Sequence, residues 1–290
     1  MTSSRLQFIV FIALGLTLFA CSGGNQENKK ENSSSDTVNT TKDSSKPTAL
    51  KVYTLPAPMQ LPSLLHKLSA KFSQEFLKPS DNLKPGASDN KKEALILGMF
   101  GVDMGYCILY NQSQASMNYM SKMARLASDL NITGAFESSV VERLKTGVNN
   151  TDSATFILLN AFINARKFLS TNKREEVGYI IAAGSFIEGL HMLTSVAADN
   201  KSDEVRNLIG EQKMFLENIT ELLQNYSNDE GIKAISDKLA DLKKDFDMVK
   251  IETVKGEKED QLVVKSITIS DEQVKSITQK VSAMRKEILQ

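Results

Sequence analysis

The chain has 290 residues, 41% of them hydrophobic and 24% charged, which is enough apolar side chain for a sizeable core and excludes a wholly disordered polymer. Its 35 basic and 35 acidic residues cancel. No basic patch interleaved with aromatics breaks that balance, so a surface built for nucleic acid is excluded as well.

The first segment, MTSSRLQ, carries one cation, Arg5, and leads into an apolar run from Phe8 to Ala20 that ends at Cys21. Such a run is too short to span a bilayer and fits the apolar region of a secretory signal. The pattern Leu18-Phe19-Ala20-Cys21 resembles the bacterial lipobox, with Phe19 bulkier than the usual occupant of its place. The resemblance implies cleavage after residue 20 and acylation of Cys21. Two or three acyl chains, each buried CH₂ contributing about 0.8 kcal/mol, make detachment slow. With Cys21 acylated, Cys107 is the only remaining thiol, and no intramolecular disulfide can form.

Residues 22–49, within an expected lipidated and disordered segment over 21–50, contain one large apolar residue, Val38. Such a stretch cannot bury enough surface to offset its ordering entropy, so a tether reaching about 30 Å is expected. Ser22, directly after the lipidated position, is compatible with sorting to the outer membrane as lipoproteins of other Gram-negative bacteria are sorted. Asp36-Thr37-Val38 looks like the O-glycosylation acceptor of exported Bacteroidetes-type proteins, and Thr37 is its candidate residue. Asp152-Ser153-Ala154 fits the same short pattern but reads as a helix start.

From 51 to 290 apolar residues recur at three- and four-residue spacing, and the pattern predicts an all-α domain of about nine antiparallel helices. They are expected near 61–78, 91–110, 113–130, 136–147, 153–171, 174–198, 202–226, 229–248 and 271–288. Ser202, Asn228 and Ser270 each precede acidic residues and are expected as N-caps. Over 252–269 a short hairpin about Gly256 and an extended linker fit equally. Residues 94–131 do not match tetratricopeptide spacing, so an irregular array is expected.

Ala94, Gly98, Gly101 and Gly105 fall within about 60° of one another on the second helix. A stripe of glycines costs helix stability, about 1 kcal/mol each, and is explained most simply by close approach of another helix. Asp103 lies nearly opposite, beside Tyr106, Cys107 and Tyr110. A carboxylate there either forms a structural hydrogen bond, reaches water, or joins Tyr106 and Tyr110 in a small polar pocket for a solute.

In GSFIEGLHML, Glu188 and His191 have the Glu-x-x-His spacing of metal-binding bundles. The helical wheel groups them with Gly184 and Ser195 as the polar stripe of an amphipathic helix. With only His66 and His191 available, and one thiol, a di-iron or zinc site lacks ligands, so no metal or other cofactor is expected. There is no nucleophile elbow, P-loop, dinucleotide fingerprint or His-Glu-x-x-His, and no catalytic residue is assigned.

The segments from Gly98 to Glu137 and from Ala182 to Leu193 are similar to helical lipoproteins of Bacteroidetes-type bacteria. These combine a Gly-rich Asp-Tyr helix with a Gly-aromatic-Ile-Glu-Gly/Ala-Leu helix; His191 departs from their pattern. The resemblance implies a place and a fold and supplies no activity. The expected function is that of a lipid-anchored envelope protein of the outer membrane, on its periplasmic face or the cell surface. It would be a non-enzymatic helical module that binds or scaffolds another envelope component. A solute- or lipid-binding protein with a cavity near Asp103, Tyr106, Tyr110 and Glu188 is the alternative, and a hydrolase without a recognised motif the third.

Overall fold

Apolar residues at helical spacing place the chain in a sequence of helices, which the computed structural model orders as α1 (Gln60–Lys67), α2 (Asn90–Leu109), α3 (Ser113–Asp129), α4 (Thr151–Thr171), α5 (Glu175–Asp199), α6 (Asp203–Glu211), α7 (Lys213–Gln224) and α8 (Glu230–Asp247). Strands β1 (Lys250–Lys255) and β2 (Leu262–Thr268) and the last helix, α9 (Asp271–Ile288), follow. The structure describes residues 55–77, 89–135, 142–143, 150–255 and 262–290. Among the described residues the fold is all-α apart from this two-stranded sheet. Tyr53–Thr253 and Val264–Gln290 make up the compact unit that holds the helices, and Val254–Val263 falls outside it.

Two helices are apolar on every side and form the centre. Every residue from Glu93 to Ile108 of α2 is buried, as is every residue from Ile180 to Leu190 of α5. α5 is long and apolar enough to cross a membrane, yet 89% of its apolar window is already buried within the protein, so it is a core helix here. Around this pair, α1, α3 and α4 pack on α2, while α8 and α9 pack on each other and α9 also on α5.

The small-residue stripe performs the expected close approach. A Cβ on Gly98 would run into the Ile181 carbonyl oxygen of α5, and one on Gly184 would run into the Leu95 carbonyl oxygen of α2. The two backbones therefore touch where both lack a side chain. Ser185 Oγ donates to the Gly98 carbonyl at 3.0 Å within this contact. Gly101 receives the Phe162 ring and Gly105 the Met59 sulfur, so each glycine of the stripe takes a neighbour in the space a Cβ would fill.

Four helices end in the same way. Ser69, Asn111, Asn131 and Lys173 have φ of 55–56°. The N–H after each reaches back five residues, from Ala70 to Leu65, Gln112 to Cys107, Ile132 to Ala127 and Arg174 to Leu169. This is the Schellman ending, built here without glycine. It corrects the helix expected over 61–78: left-handed Ser69 stops α1, and the chain resumes with a 3₁₀ turn at Gln74–Phe76.

Other expectations are adjusted in smaller ways. The helix expected over 202–226 is interrupted at Gln212, just after Gly210. The side chain of Asp229, and not Asn228, caps α8 through the N–H groups of Gly231 and Ile232. Ser202 and Ser270 cap as expected, Ser270 within a full capping box. Over 252–269 the hairpin is the outcome: six residues separate β1 from β2, too few for a parallel crossover. The leader, Cys21, the tether with Thr37, the helix expected over 136–147 apart from 142–143, and Gly256 lie outside the described residues.

Candidate functional site

The polar groups on the two central helices meet at one place. Asp103 comes from the middle of α2 and Glu188 from the middle of α5, and both are buried, Glu188 completely. The two carboxyl groups lie close enough to act on each other, and Tyr119 of α3 interacts with Asp103. Arg285 of α9 enters from the other side: its Nε donates to Glu188 Oε2 at 2.7 Å and its Nη2 to Glu188 Oε1 at 2.6 Å. The guanidinium is thus held as a two-pronged fork, the strongest geometry open to an ion pair. Nη2 also donates to the Phe76 carbonyl at 3.0 Å, which brings the 3₁₀ turn over the cluster.

The local sequence explains how Arg285 reaches this position. Ile277, Val281 and Arg285 follow one another at four-residue intervals on α9, so the cation stands in phase with buried residues. The acid in phase with the apolar face of another helix, Glu188, is its partner.

Electrostatics at the cluster follow from burial. Desolvation, and then the neighbouring Glu188 carboxylate, push the Asp103 carboxyl well above the usual range, against the opposing pull of Arg285. Burial, and then Asp103, likewise drive the Tyr119 hydroxyl well above its usual range. His191, one turn along α5, is pushed down to about 4 by burial and by Arg285 and stays neutral. Arg285 and Glu188 face each other as a buried ion pair beside the Asp103 carboxyl. Asp103 Oδ1 makes no hydrogen bond.

The residues singled out in the sequence divide into two groups. Asp103 and Glu188 share the cluster. Tyr106 and Tyr110 do not join them as ligands of one pocket: the Tyr106 hydroxyl accepts from the Ser73 N–H at 2.9 Å, and the Tyr110 hydroxyl donates to the Ala70 carbonyl at 2.6 Å. The two rings lie 4.7 Å apart and tie the segment after α1 to α2. Burial raises the Tyr106 hydroxyl to about 12. His66 packs edge-on against Tyr110.

Glu188 and His191 also need a correction. They do not form the polar stripe of an amphipathic helix: α5 is buried without a break from Ile180 to Leu190, with His191 and Ser195 half-buried beyond it, and Gly184 is a packing contact and Glu188 an inward charge. Ser282 Oγ lies 3.5 Å from His191 Nδ1. A neutral imidazole with so low a pKa is a poor base for that hydroxyl. Cys107 is a free, buried thiol that burial raises to about 12, which makes it unreactive. Among the described residues no three His, Cys, Asp or Glu side chains converge to hold a metal ion.

Two clefts lie away from this cluster. One, of about 280 Å³, is lined by residues of α4 and α5 including Ile163, Arg166, Lys167 and Tyr179. The other, of about 170 Å³, lies between the starts of α2 and α8 and Arg174. Neither includes Asp103, Tyr106, Tyr110 or Glu188. No family profile, curated protein or solved structure matches the chain.

Proposed function

We propose that the protein is a lipid-anchored, non-enzymatic helical module of the outer membrane that binds or scaffolds another envelope component. The observation that carries this reading is the buried, internally paired cluster of Asp103, Glu188 and Arg285. Its charges are engaged with one another and with the Phe76 carbonyl, so this buried polar cluster joins helices together. Its surroundings hold a neutral imidazole and an unreactive thiol, a poor setting for acid–base or nucleophilic chemistry. The leader ending at Cys21 supports attachment to a membrane, and Ser22 supports the outer one.

Radiolabelled palmitate supplied to growing cells tests the anchor: the label is expected on the chain and is expected to vanish in Cys21→Ser. Label that survives this substitution refutes it. Native purification from detergent-solubilised envelope, with mass spectrometry of proteins and small molecules, tests the module. A stoichiometric envelope protein is expected; a stoichiometric small molecule would instead favour a solute-binding role.

A further inference from the structure

The two most exposed large apolar side chains among the described residues, Phe156 at 62% and Ile163 at 60%, both project from α4. Seven positions apart, they share one outward stripe with Asn160 and Lys167. No acidic residue occurs from Ser153 to Arg174. Arg166, Lys167 and Lys173 stand exposed in that stretch, and none is ion-paired among the described residues. Beside Ile163, where α4 meets α5, lies the cleft of about 280 Å³ walled by Arg166, Lys167, Ser170, Glu175 and Tyr179.

An aromatic and an aliphatic side chain left in water cost free energy, and unpaired cations beside them define what could cover them. At a lipid–water boundary the apolar groups enter the acyl region, while long cationic side chains reach the phosphate level. Glu175 offsets one of the two cations in the cleft, leaving one net positive charge, which matches the single negative charge of a phosphodiester. We propose that the outward face of α4 docks on a phospholipid bilayer, with Phe156 and Ile163 at the interface and Arg166 and Lys167 meeting a lipid phosphate in the cleft. This goes beyond an acyl anchor, which holds the chain near a membrane without choosing which face of the folded unit meets it.

The test uses the full acylated chain carrying Asn160→Cys, labelled with an environment-sensitive dye and mixed with phosphatidylethanolamine–phosphatidylglycerol vesicles that contain spin-labelled quencher lipid. Cys107 is buried and leaves the new thiol to react. Quenching is expected for the dye at 160 and not for one at Gln279→Cys on α9. It is expected to fall several-fold when Arg166→Glu, Lys167→Glu, Phe156→Ser and Ile163→Ser are combined, exposed positions that leave the thermal unfolding curve in place. Flotation reads the anchor and quenching reads the face, so the two can fail separately. Floating protein that is not quenched overturns docking, as does quenching that survives the combined variant. A dye signal that grows with protein concentration without vesicles shows that a second copy covers α4, and overturns it too. A chain that neither floats nor is quenched overturns both readings.

Discussion

Arg285 holds Glu188 by two hydrogen bonds, at 2.6 and 2.7 Å, across 97 positions of sequence, so that the last helix is tied to the middle of the central one. Burial makes this pair costly to break. Glu188→Gln leaves the guanidinium buried without its counter-charge and is expected to lose about 3–5 kcal/mol in urea unfolding. Arg285→Met is expected to cost a similar amount, and the double variant Glu188→Leu/Arg285→Met to recover much of it. Strictly additive losses in the double variant would show that the two residues do not act as a pair.

Two groups at the cluster give stability opposite dependence on pH. His191 is held neutral, with its folded pKa lowered to about 4. Between that value and an unfolded value of about 6.5 only the unfolded chain binds the proton, so His191 contributes stability that is complete above about pH 6.5 and is lost as pH falls towards 4. The slope is at most about 1.4 kcal/mol per pH unit. Burial holds the Asp103 carboxyl well above its usual range. Its contribution is complete below the unfolded value of about 3.9 and declines as pH rises towards the folded one. Urea midpoints measured from pH 4 to 8 should therefore show a shallower acid loss in His191→Asn than in the parent, and a flatter alkaline side in Asp103→Asn. Curves parallel to the parent would contradict both assignments.

The close crossing of α2 and α5 separates glycines that look alike in sequence. Gly98→Ala and Gly184→Ala each drive a Cβ into a backbone carbonyl oxygen of the facing helix, which cannot rotate away as a side chain could. Overpacking of this kind is expected to cost at least about 1–3 kcal/mol. Gly178→Ala is different: its Cβ would meet Leu169 at 3.5 Å, ordinary contact, and the better helix propensity of alanine should be neutral or stabilise by up to about 1 kcal/mol. Thermal melts of the three variants measure the contrast. A Gly98→Ala protein as stable as the parent would mean that the helices are not in contact there.

These residues also mark what could be read from sequence. Spacing located most of the helices, and the stripe from Ala94 to Gly105 announced a tight packing face because glycine in a helix interior has a cost that only contact offsets. Glu188 was misplaced for a related reason: a wheel that groups Gly184 with Glu188, His191 and Ser195 draws a polar stripe, although Gly184 is where Leu95 touches. Arg285 was missed because its partner lies on another helix, 97 positions away. Its phase with Ile277 and Val281 was the available signal, a cation aligned with buried positions. The early end of α1 was hidden because Ser69 adopts a left-handed conformation usually supplied by glycine, while the apolar spacing runs on past it.

Tyr106 and Tyr110 then predict a local effect and not a global one. Their hydroxyls hold the backbone at Ser73 and Ala70, the segment whose Phe76 carbonyl closes over Arg285. Tyr106→Phe leaves the Ser73 N–H, and Tyr110→Phe the Ala70 carbonyl, without that partner, at about 1 kcal/mol each. Because the rings and their stacking remain, the core should be unaffected, and the loss should fall on the opening of residues 70–77. Hydrogen exchange is expected to quicken there in both variants, while amides of α2 and α5 keep their protection. Exchange that accelerates equally in all three segments would mean that these tyrosines support the whole fold, and that the turn over Arg285 is not a separately opening element.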